Sequence, residues 1–242
     1  MKKLFLLTVF LFSVVVSAQD ETNTQNTTSD QGFSFGVKAG VNLASVSNLD
    51  EEPGEDISGR TSFHIGALGE YSFNEKFSVQ GELLYSELGA EYEWAYSDDY
   101  PYANDYPVRV GGDYSYSGEG TVKLSYISVP LLAKYYFIPG LSVEAGPQFS
   151  LLLSAKDDRK YTQTNGEVYS ESEEEDIKDD LKNHDVGGAI GASYELDFGL
   201  FFSVRYVFGF IDISDDINDD LDDYLDSSKN NVFQASAGFK FN

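Results

Sequence analysis

From residue 33 onward, large apolar side chains recur at every second position, and the segments showing this are joined alternately by short and long connections. The clearest segment carries Leu200, Phe202, Val204, Tyr206, Phe208 and Phe210 on one parity, with Phe201, Ser203, Arg205, Val207 and Gly209 on the other. A period of two belongs to a β-strand, whose successive side chains point to opposite faces. Eight segments follow this pattern: 33–46, 61–73, 76–94, 120–137, 139–155, 185–197, 199–213 and 230–242. Only Asn74-Glu75, Ile138-Pro139-Gly140 and Asp197-Phe198-Gly199 join the second to the third, the fourth to the fifth and the sixth to the seventh. The other connections, 47–60, 95–119, 156–184 and 214–229, are long. Tight turns at one end and long loops at the other point to an all-β fold. The pattern is that of an eight-stranded antiparallel up-and-down transmembrane β-barrel, with periplasmic turns and extracellular loops. A soluble sandwich would instead turn its bulky set inward and its polar set outward.

One segment breaks the pattern. Lys123 and Ser125 share the parity of Ile127, Val129 and Leu131, which predicts a β-bulge near Tyr126–Ser128, and Pro130 suits a locally irregular ladder.

Charge follows the same division. Taking the polar parity of each strand collects Lys38, Glu70, Glu82, Lys134, Glu144, Glu195, Arg205 and Lys240. These four acids and four bases sum to zero in a chain whose formal charge is −25. A narrow lumen tolerates ions only when they are compensated, so this set reads as a structural charge network filling an eight-stranded barrel. The residues 47–60, 95–119, 156–184 and 212–229 hold 28 of the 41 acids and 8 of the 16 bases. Excess negative charge therefore belongs to the loops.

At the N-terminus, Met1-Lys2-Lys3 precedes an apolar run from Leu4 to Val16 and then Ser17-Ala18. This is the form of a secretory signal peptide over 1–18, and the run is shorter than the roughly 20 residues that span a bilayer as a helix. Residues 19–32 are polar and read as a flexible tether ahead of a barrel domain at 33–242.

Several chemistries are excluded or disfavoured. The chain has no Cys, so thiol catalysis and Cys-ligated metals are absent. A strongly acidic chain is a poor nucleic-acid binder. The two histidines, His64 and His184, do not stand at any spacing that fixes a nucleophile beside a base. His64 shares the inward parity of its strand and reads as a satisfied lumen residue. No catalytic residue and no cofactor is expected.

Two loops invite a ligand. Asp212, Asp215, Asp216, Asp219, Asp220, Asp222, Asp223 and Asp226 could attract divalent cations at 212–226. An EF-hand frame starting at Asp216 fails, because Leu221 stands where Gly is needed and Ser227 where Glu is needed. Ile213, Ile217, Leu221 and Leu225, behind Ser214 as N-cap, fit a short amphipathic helix over the barrel mouth better. The second long loop and its flanks interleave Tyr92, Trp94, Tyr100, Tyr102 and Tyr106 with acids. Tyr-rich loops make adaptable recognition surfaces, with Tyr100, Tyr102 and Tyr106 the candidates, while rings packed on extended strands are the structural alternative. The run Glu173-Glu174-Glu175-Asp176 reads as a solvated face.

The strands also resemble a known family. Phe35-Gly-Val-Lys-Ala-Gly-Val-Asn-Leu43, Phe63-His-Ile-Gly-Ala67, Tyr126-Ile-Ser-Val-Pro-Leu-Leu-Ala-Lys-Tyr135 and Gly140-Leu-Ser-Val-Glu-Ala-Gly146 are four of the matching stretches. With Val204-Arg-Tyr-Val-Phe-Gly209 and Val232-Phe-Gln-Ala-Ser-Ala-Gly-Phe-Lys-Phe241, they are similar to the outer-membrane β-barrels of Bacteroidetes-type bacteria that include the PorT, or porin-family, proteins. Where such relatives carry an acid in the tyrosine–proline strand this chain has Ser128, and it ends in Asn242 rather than an aromatic. The resemblance implies a barrel in the outer membrane of a Gram-negative bacterium, with outer-membrane lipid and the outer-membrane assembly machinery as partners. The expected role is non-enzymatic: structure, adhesion or assembly, with an unknown extracellular ligand. The alternatives are a narrow porin-like diffusion channel or an accessory of a secretion system.

Overall fold

The computed structural model describes residues 32–47, 55–97, 115–164, 168–213 and 228–241. Within these lie nine strands: β1 (Gly32–Ser47), β2 (Glu55–Asn74), β3 (Phe77–Ser97), β4 (Ser115–Ile138), β5 (Leu141–Thr164), β6 (Val168–Asp176), β7 (His184–Glu195), β8 (Leu200–Gly209) and β9 (Lys229–Phe241). Each pairs antiparallel with its neighbours. Eight of them close a ring through β1–β9 and β4–β5 pairing, while β6 lies outside the ring, against the upper half of β5. The fold is an up-and-down antiparallel barrel.

The residue pattern explains the wall. Phe35, Val37, Val41, Leu83, Leu131, Val143, Phe202 and Val204 all face outward with their side chains open. Such a continuous apolar surface is untenable in water and is what lipid requires. Rings concentrate near the short-turn end, where Phe33 meets Phe35 and Tyr71, Phe77 meets Tyr135, and Phe239 meets Phe241. This is an interfacial aromatic girdle. The tight turns are built by local chemistry. Asn74 Oδ1 accepts the N–H groups of Lys76 and Phe77 at 2.9 and 3.1 Å. Gly140 and Gly199 take φ values of 80° and 92°, which residues with a Cβ rarely adopt.

Strand bounds differ from those expected. β2 begins at Glu55 rather than 61, β4 at Ser115 rather than 120, and β5 runs to Thr164 rather than 155. About 9–11 residues cross a bilayer as a tilted strand, so the 24 residues of β4 and of β5 rise well beyond it. The connection 156–184 is also not an irregular loop. It contains the β5–β6 hairpin and a 3₁₀ turn at Lys178–Asp180. Together β2–β6 form a sheet standing above one side of the barrel, whereas β7 and β8 stop near its rim.

The irregularity expected near Tyr126 is present, but its extra residue is on the neighbouring strand. β4 keeps a single inward parity from Gly120 through Leu124, Tyr126, Ser128, Leu132 and Lys134. The register shifts where Ser125 opposes Ser154 but Tyr126 opposes Leu152, so the extra residue is Leu153 of β5. Beyond it, β5 turns Ala155 and Asp157 inward. The β3–β4 ladder is interrupted at Val129 and Pro130, and the β4–β5 ladder at Gly146 and Pro147, in both places without a change of register, and a proline supplies no N–H to a ladder.

Candidate functional site

The lumen is layered. Nearest the short turns, the structure brings Lys38, Glu70, Glu82, Lys134, Glu144, Glu195, Arg205 and Lys240 into one chain of ion pairs. Lys38 Nζ lies 3.3 Å from Glu82, whose two oxygens take the Arg205 fork at 2.9 and 2.7 Å. Arg205 also donates to Glu144 Oε1 through Nε and Nη2 at 2.9 and 2.7 Å. Lys134 stands 4.0 Å from Glu144 and 3.2 Å from Glu70, and Lys240 bridges Glu70 and Glu195 at 2.6 Å each. Gln80, Ser78 and Tyr136 complete the shell by donating to Glu82 and Glu70. These three were not singled out from sequence, although Ser78 and Gln80 share the parity of Glu82 and Tyr136 that of Lys134. Arg205, Glu82 and Glu144 side chains are at most 2% exposed. Ions so deeply buried persist only when every charge has a partner.

Above this lies a neutral polar layer. Asn42 donates to Phe63 O, Ser86 Oγ and Glu87 O at 3.1, 3.0 and 2.8 Å and accepts from Gln234 Nε2 at 3.1 Å. His64 sits between Asn42 Oδ1 and Ser236 Oγ, both at 2.7 Å, an arrangement served by a proton on Nδ1. It is a packed lumen residue. Higher still, Leu88, Leu124, Leu152, Val207 and Val232 form an apolar plug. Ile177, Leu181 and Ile213 fold in over it, held by Ile177 N to Ala155 O at 3.2 Å and Lys182 N to Ile213 O at 2.9 Å. No charge pattern announced this layer, because its residues carry no charge and Leu152 and Val207 alternate with side chains of equal hydrophobicity.

The extracellular sheet carries the second cluster. Tyr92 of β3 lies against Gly120 of β4, and Trp94 against Gly118, where any Cβ would meet the rings at 2.1 and 2.4 Å. The Tyr92 hydroxyl donates to Asp157 at 3.0 Å, Asp157 accepts from Arg159 Nε at 2.6 Å, and Arg159 reaches Glu175 of β6 at 3.2 Å. Burial, then the Asp157 charge, pushes the Tyr92 phenol up to about 12. The hydrogen bond from Lys123 holds the Asp158 carboxyl below its usual range. Trp94 meets Tyr161 with ring centroids 6.0 Å apart. Two open clefts of about 500 and 380 Å³ run along this sheet, bordered by Glu91, Glu93, Glu119 and Lys160.

The family model described as Outer membrane protein beta-barrel domain matches residues 17–215. This chain belongs to that outer-membrane β-barrel family. It is an outer-membrane protein of the Gram-negative cell envelope. No curated protein sequence matches it. Among solved barrels, it is similar to Ail, the attachment invasion locus protein of Yersinia pestis. That likeness has 13% identity and a TM-score of 0.40, covering 86% of this chain and 99% of Ail. OprG of Pseudomonas aeruginosa aligns at 12% identity and a TM-score of 0.36, covering 87% and 97%. Neisserial surface protein A aligns at 12% and 0.35, covering 86% and 97%.

Other expected sites of this family member lie outside the described residues. They include the signal peptide at 1–18, nearly all of the tether at 19–32, Tyr100, Tyr102 and Tyr106, and residues 214–227 with the helix or divalent-cation reading of the fourth loop. Among the described residues no cluster of three or more His, Asp or Glu is arranged to hold a metal.

Proposed function

We propose that this barrel is a non-enzymatic surface protein with a closed lumen, which serves adhesion or assembly through its extracellular sheet. The observation that carries the reading is the stacking of three different fillings along one lumen: paired ions, a neutral polar layer and an apolar plug. A conduction path would have to part all three. A diffusion channel instead needs a continuous wet route, which eight strands filled by side chains do not leave. The sheet of β2–β6 supports the recognition role. Its Tyr92–Asp157–Arg159 and Trp94–Tyr161 clusters are rigid aromatic and ionic anchors beside clefts that open to solvent. Lipid meets the apolar belt, and the outer-membrane assembly machinery inserts the chain there. The order of motifs from Phe35 to Phe241 supports a finer placement among PorT-like barrels of Bacteroidetes-type bacteria.

The test is conductance of the refolded protein in planar bilayers. Silence at moderate voltage is expected, and steady open events of sizeable conductance would favour the channel.

A further inference from the structure

Between the ion chain and the apolar plug, the lumen contains a small enclosed cavity of about 10 Å³, lined by Ser86, Gln148, Ser150, Asp185, Asn230 and Gln234, among others. Three of these lining residues carry a buried oxygen atom with no hydrogen-bond partner: Gln148 Oε1, Asp185 Oδ1 and Gln234 Oε1. The residues are 8%, 8% and 3% exposed. Their remaining polar atoms are committed. Gln234 Nε2 donates to Asn42, Gln148 Nε2 reaches Ser150 Oγ, and Asp185 Oδ2 accepts from Asn230 Nδ2 at 3.0 Å. The Asn230 amide nitrogen is fully used, since it also donates to the Tyr126 hydroxyl.

Charge makes the cavity more demanding. The eight ions below it balance among themselves, and each of those four acids has a cation within 4.0 Å. Among the described residues, Asp185 forms no ion pair. A buried carboxylate without a partner is costly, and buried charges in folded proteins are paired or bound to metal ions. All three free atoms are oxygen acceptors, the donor set of a hard cation. One carboxylate with two neutral amide oxygens matches a single positive charge. Calcium takes 6–8 oxygen ligands, and magnesium keeps several waters, for which this cavity has no room.

We propose that this cavity binds one sodium-sized monovalent cation between Asp185 Oδ1 and the amide oxygens of Gln148 and Gln234. The ion neutralises the buried acid that forms no ion pair among the described residues, and it joins β5, β7 and β9 where the neutral polar layer meets the apolar plug. It binds only the folded barrel and so raises stability by mass action.

The experiment is thermal melting of the full chain folded in detergent at pH 7.5, in sodium, potassium or choline chloride at one ionic strength. Sodium is expected to raise the melting temperature over choline in a saturable way, by roughly 5 °C, with potassium weaker. Asp185→Asn, equal in size and uncharged, should melt alike in sodium and choline. A wild-type protein indifferent to sodium would overturn the proposal, leaving water beside a protonated Asp185 as the occupant. An Asp185→Asn barrel that keeps the full sodium response would overturn it as well, because the acidic exterior would then be responsible. Should that variant not fold, Gln234→Met keeps the volume but removes one ligand. An undiminished sodium response in Gln234→Met counts against the site.

Discussion

The lumen and the extracellular sheet are built from the same side chains and obtain opposite results from them. In the lumen, Arg205 holds Glu82 and Glu144 with exposures of 2% or less. On the sheet, Lys160 holds Glu119 at 2.8 Å, a comparable distance, but the two side chains are 51% and 59% exposed. Distance is therefore a poor guide to what an ion pair contributes. Water around the sheet pair already solvates both charges and weakens their attraction. Almost fully withdrawn from solvent, the lumen ions depend on one another and on their polar shell, so the cost of losing one is the cost of leaving the others short of a partner. The comparison separates a region specified by mutual necessity from one whose charges are free to meet other molecules.

The sharpest way to break this contrast is Arg205→Met. It leaves Glu82 with Lys38 and Glu144 with Lys134 at 4.0 Å, one cation short of balance, and a loss of about 3–5 kcal/mol is expected, the range for breaking a buried ion pair. Urea titration of the folded barrel in detergent would measure it, and a loss under 1 kcal/mol would place water in that layer. Next is Leu124→Ala in the apolar plug, where a loss of about 2–4 kcal/mol is expected from lost burial and the cavity left behind. Heat-modifiable gel migration should persist in this variant with a lower transition temperature.

Tyr92→Phe probes the sheet's better-buried part. It removes one hydrogen bond to a charged acceptor, so about 1 kcal/mol is expected at neutral pH. The sign with pH follows from the raised phenol. In the unfolded chain Tyr92 ionises near its ordinary value of 10, while in the fold it stays neutral to about 12. Its contribution is present below pH 10 and declines as pH rises toward 12. The melting difference between wild type and Tyr92→Phe should therefore narrow over that window, and a difference that widens would contradict the Asp157 contact. Lys160→Ala is expected to do least. A change within about 0.5 kcal/mol is predicted, and a loss above 1 kcal/mol would mean that the sheet's surface pairs act as a network.

How much of this could be read in advance depended on what each residue faced. Within the membrane, lipid lies on one side of every strand and a polar interior on the other, so alternation is sharp and the eight ring strands stand out. Above the membrane both faces of β3 through β6 meet water or one another, and the alternation fades. That is why Ser115–Glu119 and Lys156–Thr164 read as loop while they are strand. β6 was hidden further, since Glu173, Glu174, Glu175 and Asp176 give no hydrophobic signal on either parity. The strand that carries the bulge's extra residue was hidden for a related reason. Leu151, Leu152 and Leu153 are all apolar, and a run without contrast cannot show which residue is the extra one. Asp185 shares the inward parity of Glu195, yet only its surroundings reveal that it pairs with no base among the described residues.

The sequence by itself determined which parity of each strand meets lipid and which enters the lumen, because hydrophobicity and charge are local properties of single positions. It also concentrated the negative charge outside the membrane-crossing parts of the strands. Only the tertiary structure decided which acid meets which base. Arg205 finds Glu82 across 123 residues of chain, and Lys240 finds Glu70 across 170. Such pairings follow from the closure of the ring and the register of its neighbours, which place distant residues at one height. No spacing along the chain encodes them.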